Sequence, residues 1–404
     1  MFDQEMAEGE FVKITYQSNV LLHHYTLKPE KHNFILCVTD TGEFYEISPM
    51  AAEAVQRLNH HEDLQTIEMN VRQMYPSETV DILAFISQLM ELGLITEIDG
   101  EKLDQRHAES PDARLQHISP KLARLLFHRF TIPILIFFLL GNGSIFIFSP
   151  SLLPAYTDLF VFDSMALNLL LYMFVTSVLL SIHELGHILA MRSYDLPVHV
   201  GIGNRLFFLV LESDLTAAWD LSLRKKNTVF LAGIYVDQAL LCATLVLKIV
   251  LIDQTMIQAI LSVILLDICI KTIYQCCIYM KTDVYYVLEH STRCYNLFEN
   301  GRNQLGKWIP WIKKDLSTEV FDGEERIVKL YGLFSMVGAL LTIGLFAFYF
   351  IPQFVYIWQQ VIPRLTYPLQ DPLFWDGIVI IGQILLFLSI WCYVWIKKSC
   401  YNKS

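Results

Sequence analysis

Six stretches of this chain, residues 131–148, 165–190, 229–252, 256–280, 331–352 and 374–396, are almost free of charge and each long enough to cross a bilayer as a helix. Hydrocarbon offers no partner for an open backbone N–H or C=O, so such stretches are restricted to helices that bond internally. The fold class expected is a polytopic α-helical membrane protein of about six spans. Basic residues set its orientation. Lys121, Arg124 and Arg129 precede the first span, and Arg192, Arg205, Arg224, Lys225 and Lys226 separate the second from the third. Lys281, Arg293, Arg302 and Lys307 follow the fourth and Lys397 and Lys398 the sixth, whereas the alternate loops carry only Arg364. An excess of Lys and Arg on the cytoplasmic side places both termini in the cytoplasm of a multi-pass cell-membrane protein. The opening MFDQEMAEGEFVK lacks the basic flank and apolar run of a cleavable signal peptide.

The polar part of the chain lies ahead of the first span. Residues 1–120 hold 21 acids against 8 bases, while residues 121–404 hold 20 against 22, so the charge balance marks two units. Within 1–100, FVKITY and FILCV read as strands, and DTGEFYEI adds a turn at Asp40–Gly42 before a further short strand. Ser48-Pro49 opens a helix through Leu58, a second covers residues 64–74, and a third begins near Ser77 and stops at Gly93. The order of elements predicts a small α+β, winged-helix-like cytoplasmic domain. Residues 101–120, with two Ser-Pro steps among charges, read as a linker to a membrane domain at 121–404. The eight cysteines include no Cys-x-x-Cys pair, which leaves a sulfur-bound metal without support.

The second apolar stretch ends in LLSIHELGHILAMRSY. On a helix His183 and His187 share one face, one turn apart, so both imidazoles reach one metal ion, with Glu184 beside them. This His-Glu-x-x-His pattern suits Zn2+, which lowers the pKa of water from 15.7 to about 7, with Glu184 as the candidate general base. An unpaired carboxylate near the bilayer centre costs about 2.5–3.5 kcal/mol on insertion scales, which disfavours a stripe without function. Zinc needs a third protein ligand and an open position. Asp283, just beyond the fourth span and therefore at the same surface, is the first candidate, with Glu289 and His290 as alternatives. Asp237 in the third span reads either as a hydrogen-bond partner of a ligating histidine or as an acid facing a polar helix interface. Gly233 in the same span allows close helix approach. Asp267 and Lys271, four apart, read as a neutralising pair without catalysis.

The apolar helix with HELGH, the hairpin-like stretch at 198–220 and an aspartate near the end of a later span resemble site-2-protease-type intramembrane zinc metalloproteases. The resemblance implies Asp283 as third zinc ligand, although Val284 stands where that family commonly has glycine. ILCVTDTGEFYEISPMAAEAVQRL and VDILAFISQLMELGLITEI are similar to PqqD-like domains, which bind leader peptides of ribosomally made, modified peptides. Together they resemble the peptide zinc metalloproteases of peptide-maturation systems. The resemblance implies a zinc endopeptidase acting on a precursor peptide in the lipid bilayer, with a peptide-modifying enzyme and an exporter as partners and no nucleic acid. Two other readings stand beside it: a regulatory protease of a transmembrane anti-sigma-like substrate, and a non-catalytic peptide-binding export or immunity protein.

Overall fold

The structure is a computed structural model that describes residues 14–30, 33–38, 44–76, 78–103, 118–205, 208–294, 296–309, 312, 320–321 and 323–401. The chain divides into two compact units, residues 1–113 and 114–404.

In the first unit, β1 (Val20–Leu22), β5 (Ile95–Ile98) and β6 (Glu101–Lys102) form one antiparallel sheet, and β2 (Tyr25–Glu30), β3 (Asn33–Val38) and β4 (Phe44–Ile47) a second. Three helices, α1 (Pro49–Asn59), α2 (Leu64–Met74) and α3 (Ile82–Glu91), lie between β4 and β5 in sequence. Their starts are fixed by side chains accepting orphan backbone N–H groups: Ser48 from Ala51, Asp63 from Thr66 and Asp81 from Ala84. The third helix therefore begins at Ile82 rather than near Ser77, because the acceptor is Asp81. Val55, Ile67, Ile86 and Ile98 are fully buried and join the three helices to a strand. Residues 14–16 of the FVKITY stretch are not a strand, and its first three residues and the Asp40–Gly42 turn lie outside the described residues. Strand β2 has no counterpart among the strands expected from sequence. Pro29 is accommodated because β2 is an edge strand paired only with β3.

The second unit opens with α4 (Pro120–Leu126) and α5 (Thr131–Phe148), followed by the long α6 (Met165–Ser193). A hairpin of β7 (His199–Arg205) and β8 (Phe208–Asp214) leads to α7 (Leu223–Phe230), α8 (Ala232–Val250) and α9 (Thr255–Gln275). Then come α10 (Asp283–Thr292), α11 (Leu297–Trp308), α12 (Glu325–Leu345), α13 (Ile351–Arg364) and α14 (Pro372–Tyr401). Among the described residues, five helical stretches are long and apolar enough to cross a membrane, where six were expected. The fifth runs from Glu325 to Arg364 and continues past Pro352, with a π turn at Phe346–Phe350 just before the proline. The expected sixth falls within α14, whose apolar part among the described residues is the shorter Pro372–Leu386. The expected fourth span also ends five residues early, at Gln275, where the chain turns sharply.

Side chains such as Phe137, Phe148 and Leu340 stand exposed on α5 and α12, a surface suited to hydrocarbon. Inside, Val175 and Leu179 of α6 meet Leu241 and Leu245 of α8 and Val263, Leu265 and Ile268 of α9. Polar groups bridge the same helices. Asn142 of α5 donates to the Gln238 carbonyl at 3.0 Å, and Gln238 donates to Thr272 at 2.9 Å. Asp267 accepts from Thr176 at 2.7 Å and pairs with Lys271 at 2.9 Å, the neutralising pair expected. At the start of α6, the Asp376 carboxylate of α14 accepts from the Ser164 hydroxyl and the Met165 and Ala166 N–H groups at 2.5–2.9 Å, and pairs with Arg364.

Candidate metal centre

Helix α6 places His183 and His187 one turn apart, and both are buried. The backbone of α8 can come this close because Gly186 and Gly233 carry no side chain. A Cβ on Gly186 would meet the Ala232 carbonyl oxygen at 2.9 Å. One on Gly233 would stand 2.3 Å from His183 Nε2 and 2.6 Å from His187 Nε2. Gly233 is therefore required by the imidazoles themselves.

The protons of the two rings follow from their partners. His187 Nδ1 lies 3.0 Å from the Val229 carbonyl oxygen, which only accepts, so Nδ1 carries the hydrogen. His183 Nδ1 lies 2.8 Å from Asp237 Oδ2 and donates to that carboxylate in the same way. Asp237 is buried and acts on the ring's outer nitrogen, the arrangement that orients histidine ligands in metal sites. With both Nδ1 atoms committed, the Nε2 atoms turn lone pairs inward. They lie 3.3 Å apart, and Asp283 Oδ2 lies 3.1 Å from His183 Nε2 and 3.5 Å from His187 Nε2.

Three acceptor atoms facing one another without a hydrogen repel. A second proton on the His183 ring would relieve its own contacts and leave His187 and Asp283 opposed. A cation relieves all three. Zinc bonds of about 2.0–2.2 Å in a tetrahedron separate ligand atoms by roughly 3.3–3.6 Å, close to the spacings found. The donor set of two imidazoles and one carboxylate thus fits a zinc ion.

Glu184 is buried beside this cluster, and His183, Glu184 and His187 offer ligand-capable atoms within 4.8 Å of one another. Its Oε2 accepts from the Ser213 N–H at 2.9 Å and the Ser213 hydroxyl at 2.7 Å. Ser213 pairs with Val200 across the hairpin yet sends its N–H to Glu184, so that N–H lies on the outer edge of β8. Gln275, the last residue of α9, donates from Nε2 to Asp283 Oδ2 at 2.9 Å and accepts from the Asp283 N–H through Oε1 at 3.1 Å.

His183, His187, Asp283 and Asp237, singled out from sequence, thus come together, with Glu184 alongside. The alternatives Glu289 and His290 are engaged elsewhere: Glu289 accepts from the Tyr285 hydroxyl, and His290 Nδ1 bonds the Tyr286 carbonyl. Ser213, Gln275 and the Val229 carbonyl were not anticipated. Only the hairpin-like pattern near Ser213 hinted at any of them. None of the protein-family models, curated proteins or solved structures compared with the chain matches it.

Proposed function

We propose that this chain is a membrane-embedded zinc endopeptidase that cuts a ribosomally made, modified precursor peptide. In this reading His183, His187 and Asp283 hold the metal and Glu184 is the general base. What carries it is the convergence of two imidazole Nε2 atoms and a carboxylate oxygen at 3.1–3.5 Å with a buried carboxylate at their side. Zinc held there supplies Lewis acidity and lowers the pKa of water.

The protein's own groups do the rest. Glu184 takes a proton from the attacking water and passes it to the amine as the C–N bond breaks, so the proton account closes within one residue. Ser213 fixes one oxygen of that carboxylate and so limits its rotation. The outer edge of β8 leads to this contact, and an extended peptide pairing with that edge brings its backbone past the base. The apolar helices seat the site in the bilayer with both termini cytoplasmic. Residues 1–100 act as a PqqD-like leader-binding domain, with a peptide-modifying enzyme and an exporter as partners.

The test is mass spectrometry of a candidate precursor incubated with the metal-loaded protein and its variants. His183→Ala, His187→Ala and Asp283→Ala should lose metal and cleavage together, whereas Glu184→Gln should keep metal and lose cleavage. Cleavage that persists in Glu184→Gln would remove the general-base assignment. Full metal in Asp283→Ala would transfer the third-ligand role to another residue.

A further inference from the structure

Asp283 belongs to neither the histidine helix nor the helix packed against it, and something must aim its carboxylate. The chain leaves α9 at Gln275, passes through a 3-10 turn at Ile278–Met280, and reverses at Lys281, a non-glycine residue with φ 54°. A left-handed lysine is strained and persists only where its surroundings fix it. The turn is gripped from α12. Gly338 lies against the Cys276–Cys277 backbone, where a Cβ would meet Cys277 Cα at 3.0 Å, and the Tyr279 hydroxyl meets Thr342 Oγ1 at 2.9 Å. The turn is therefore held by contacts besides those of the Gln275 side chain.

Among the described residues, the hydrogen bonds of that side chain go to Asp283. The Asp283 N–H can only donate, so the amide atom facing it is Oε1, which leaves the NH2 end turned to Asp283 Oδ2. The Thr282 hydroxyl closes the loop on the Gln275 carbonyl at 2.9 Å. The oxygen that accepts from Gln275 is the same Oδ2 that faces both imidazoles.

We propose that Gln275 is a positioning residue that orients the Asp283 carboxylate as a metal ligand through its amide N–H. The inference rests on the metal site proposed above. It competes with a plainer role, in which Gln275 only satisfies the first N–H of α10 through Oε1. Two substitutions separate them. Gln275→Glu retains an acceptor for the Asp283 N–H but sets an acceptor against Oδ2, whereas Gln275→Met removes both functions at similar volume.

The full-length protein in detergent is titrated with Zn2+ against a competing chelator, and its Co2+ form is read by visible absorption. Both variants should bind Zn2+ about 10–100-fold more weakly than wild type, the usual range for a lost partner of a ligand. Both should also show an altered Co2+ spectrum. Wild-type affinity and spectrum in Gln275→Glu would overturn the proposal and leave the plainer role. Should Gln275→Met fail to fold, Gln275→Glu decides alone, since it keeps the acceptor. A wild-type protein without stoichiometric metal would overturn the metal site itself, and this inference with it.

Discussion

Ser213 gives a single oxygen of Glu184 two hydrogen bonds, so the hairpin is fastened to the histidine helix at the residue assigned as base. Ser213→Ala removes the hydroxyl bond and leaves the N–H. A bond to a charged group is worth about 1.5–3 kcal/mol, so cleavage under single-turnover conditions should slow by roughly 10-fold or more. Metal content, measured alongside, should not change. An unaltered rate would mean that the backbone N–H alone orients the carboxylate.

Gly233 offers a variant that touches no ligand covalently. Its Cβ in Gly233→Ala would stand 2.3 Å from His183 Nε2, a separation no packed pair tolerates. The variant should fold with α6 and α8 pushed apart and take up little metal by elemental analysis. Stoichiometric metal in Gly233→Ala would show that the imidazoles do not sit where the structure has them.

The far end of α6 holds the buried Arg364–Asp376 pair. Asp376→Ala breaks that pair and also uncaps Ser164, Met165 and Ala166, so it should cost about 3–5 kcal/mol, read as a lowered thermal unfolding midpoint in detergent. Arg364→Met leaves the carboxylate its other three donors and should cost less. The opposite ranking would show that the ion pair, not the helix cap, holds α14.

Reporters fused after Arg224 and after Ser399 should read as cytoplasmic and one after Pro150 as external, as the basic residues require. A reversed pattern would carry residues 1–100, Asp283 and the histidines together to the outer face, away from a ribosomally made precursor.

Deleting residues 1–100 should slow cleavage of dilute full-length precursor strongly while sparing slow cleavage at high concentration. Tethering a bound leader to the membrane unit raises the local peptide concentration without changing the chemical step. Equal cleavage of dilute precursor by the truncated protein would remove the leader-binding role.

What the sequence revealed of the site was what one helix decides. His183, Glu184 and His187 fall into place once residues 165–193 are helical, and Asp283 followed from counting spans to a common surface. Gln275 and Ser213 were illegible because their value lies in pairings set by tertiary structure: an amide facing a carboxylate across a turn, and a strand edge meeting a glutamate 29 residues away. The fold shows the same division. Helices α1 and α2 stand where their caps and apolar spacing put them, whereas β2 carries Pro29, which a strand tolerates at a sheet edge, and among the described residues β2 pairs with β3 only.

The length of α6 bears on where newly made chain ends emerge. Met165, at the end capped by Asp376, and His183 are separated along the axis by about 27 Å at 1.5 Å per residue, close to the hydrocarbon thickness of about 30 Å. A helix seated with its capped end at one face of the bilayer brings the histidines to the opposite face. Every peptide-bond hydrolysis creates an ammonium and a carboxylate, the groups that hydrocarbon tolerates least. On the proposed reading both fragments would form at that face and leave straight into water.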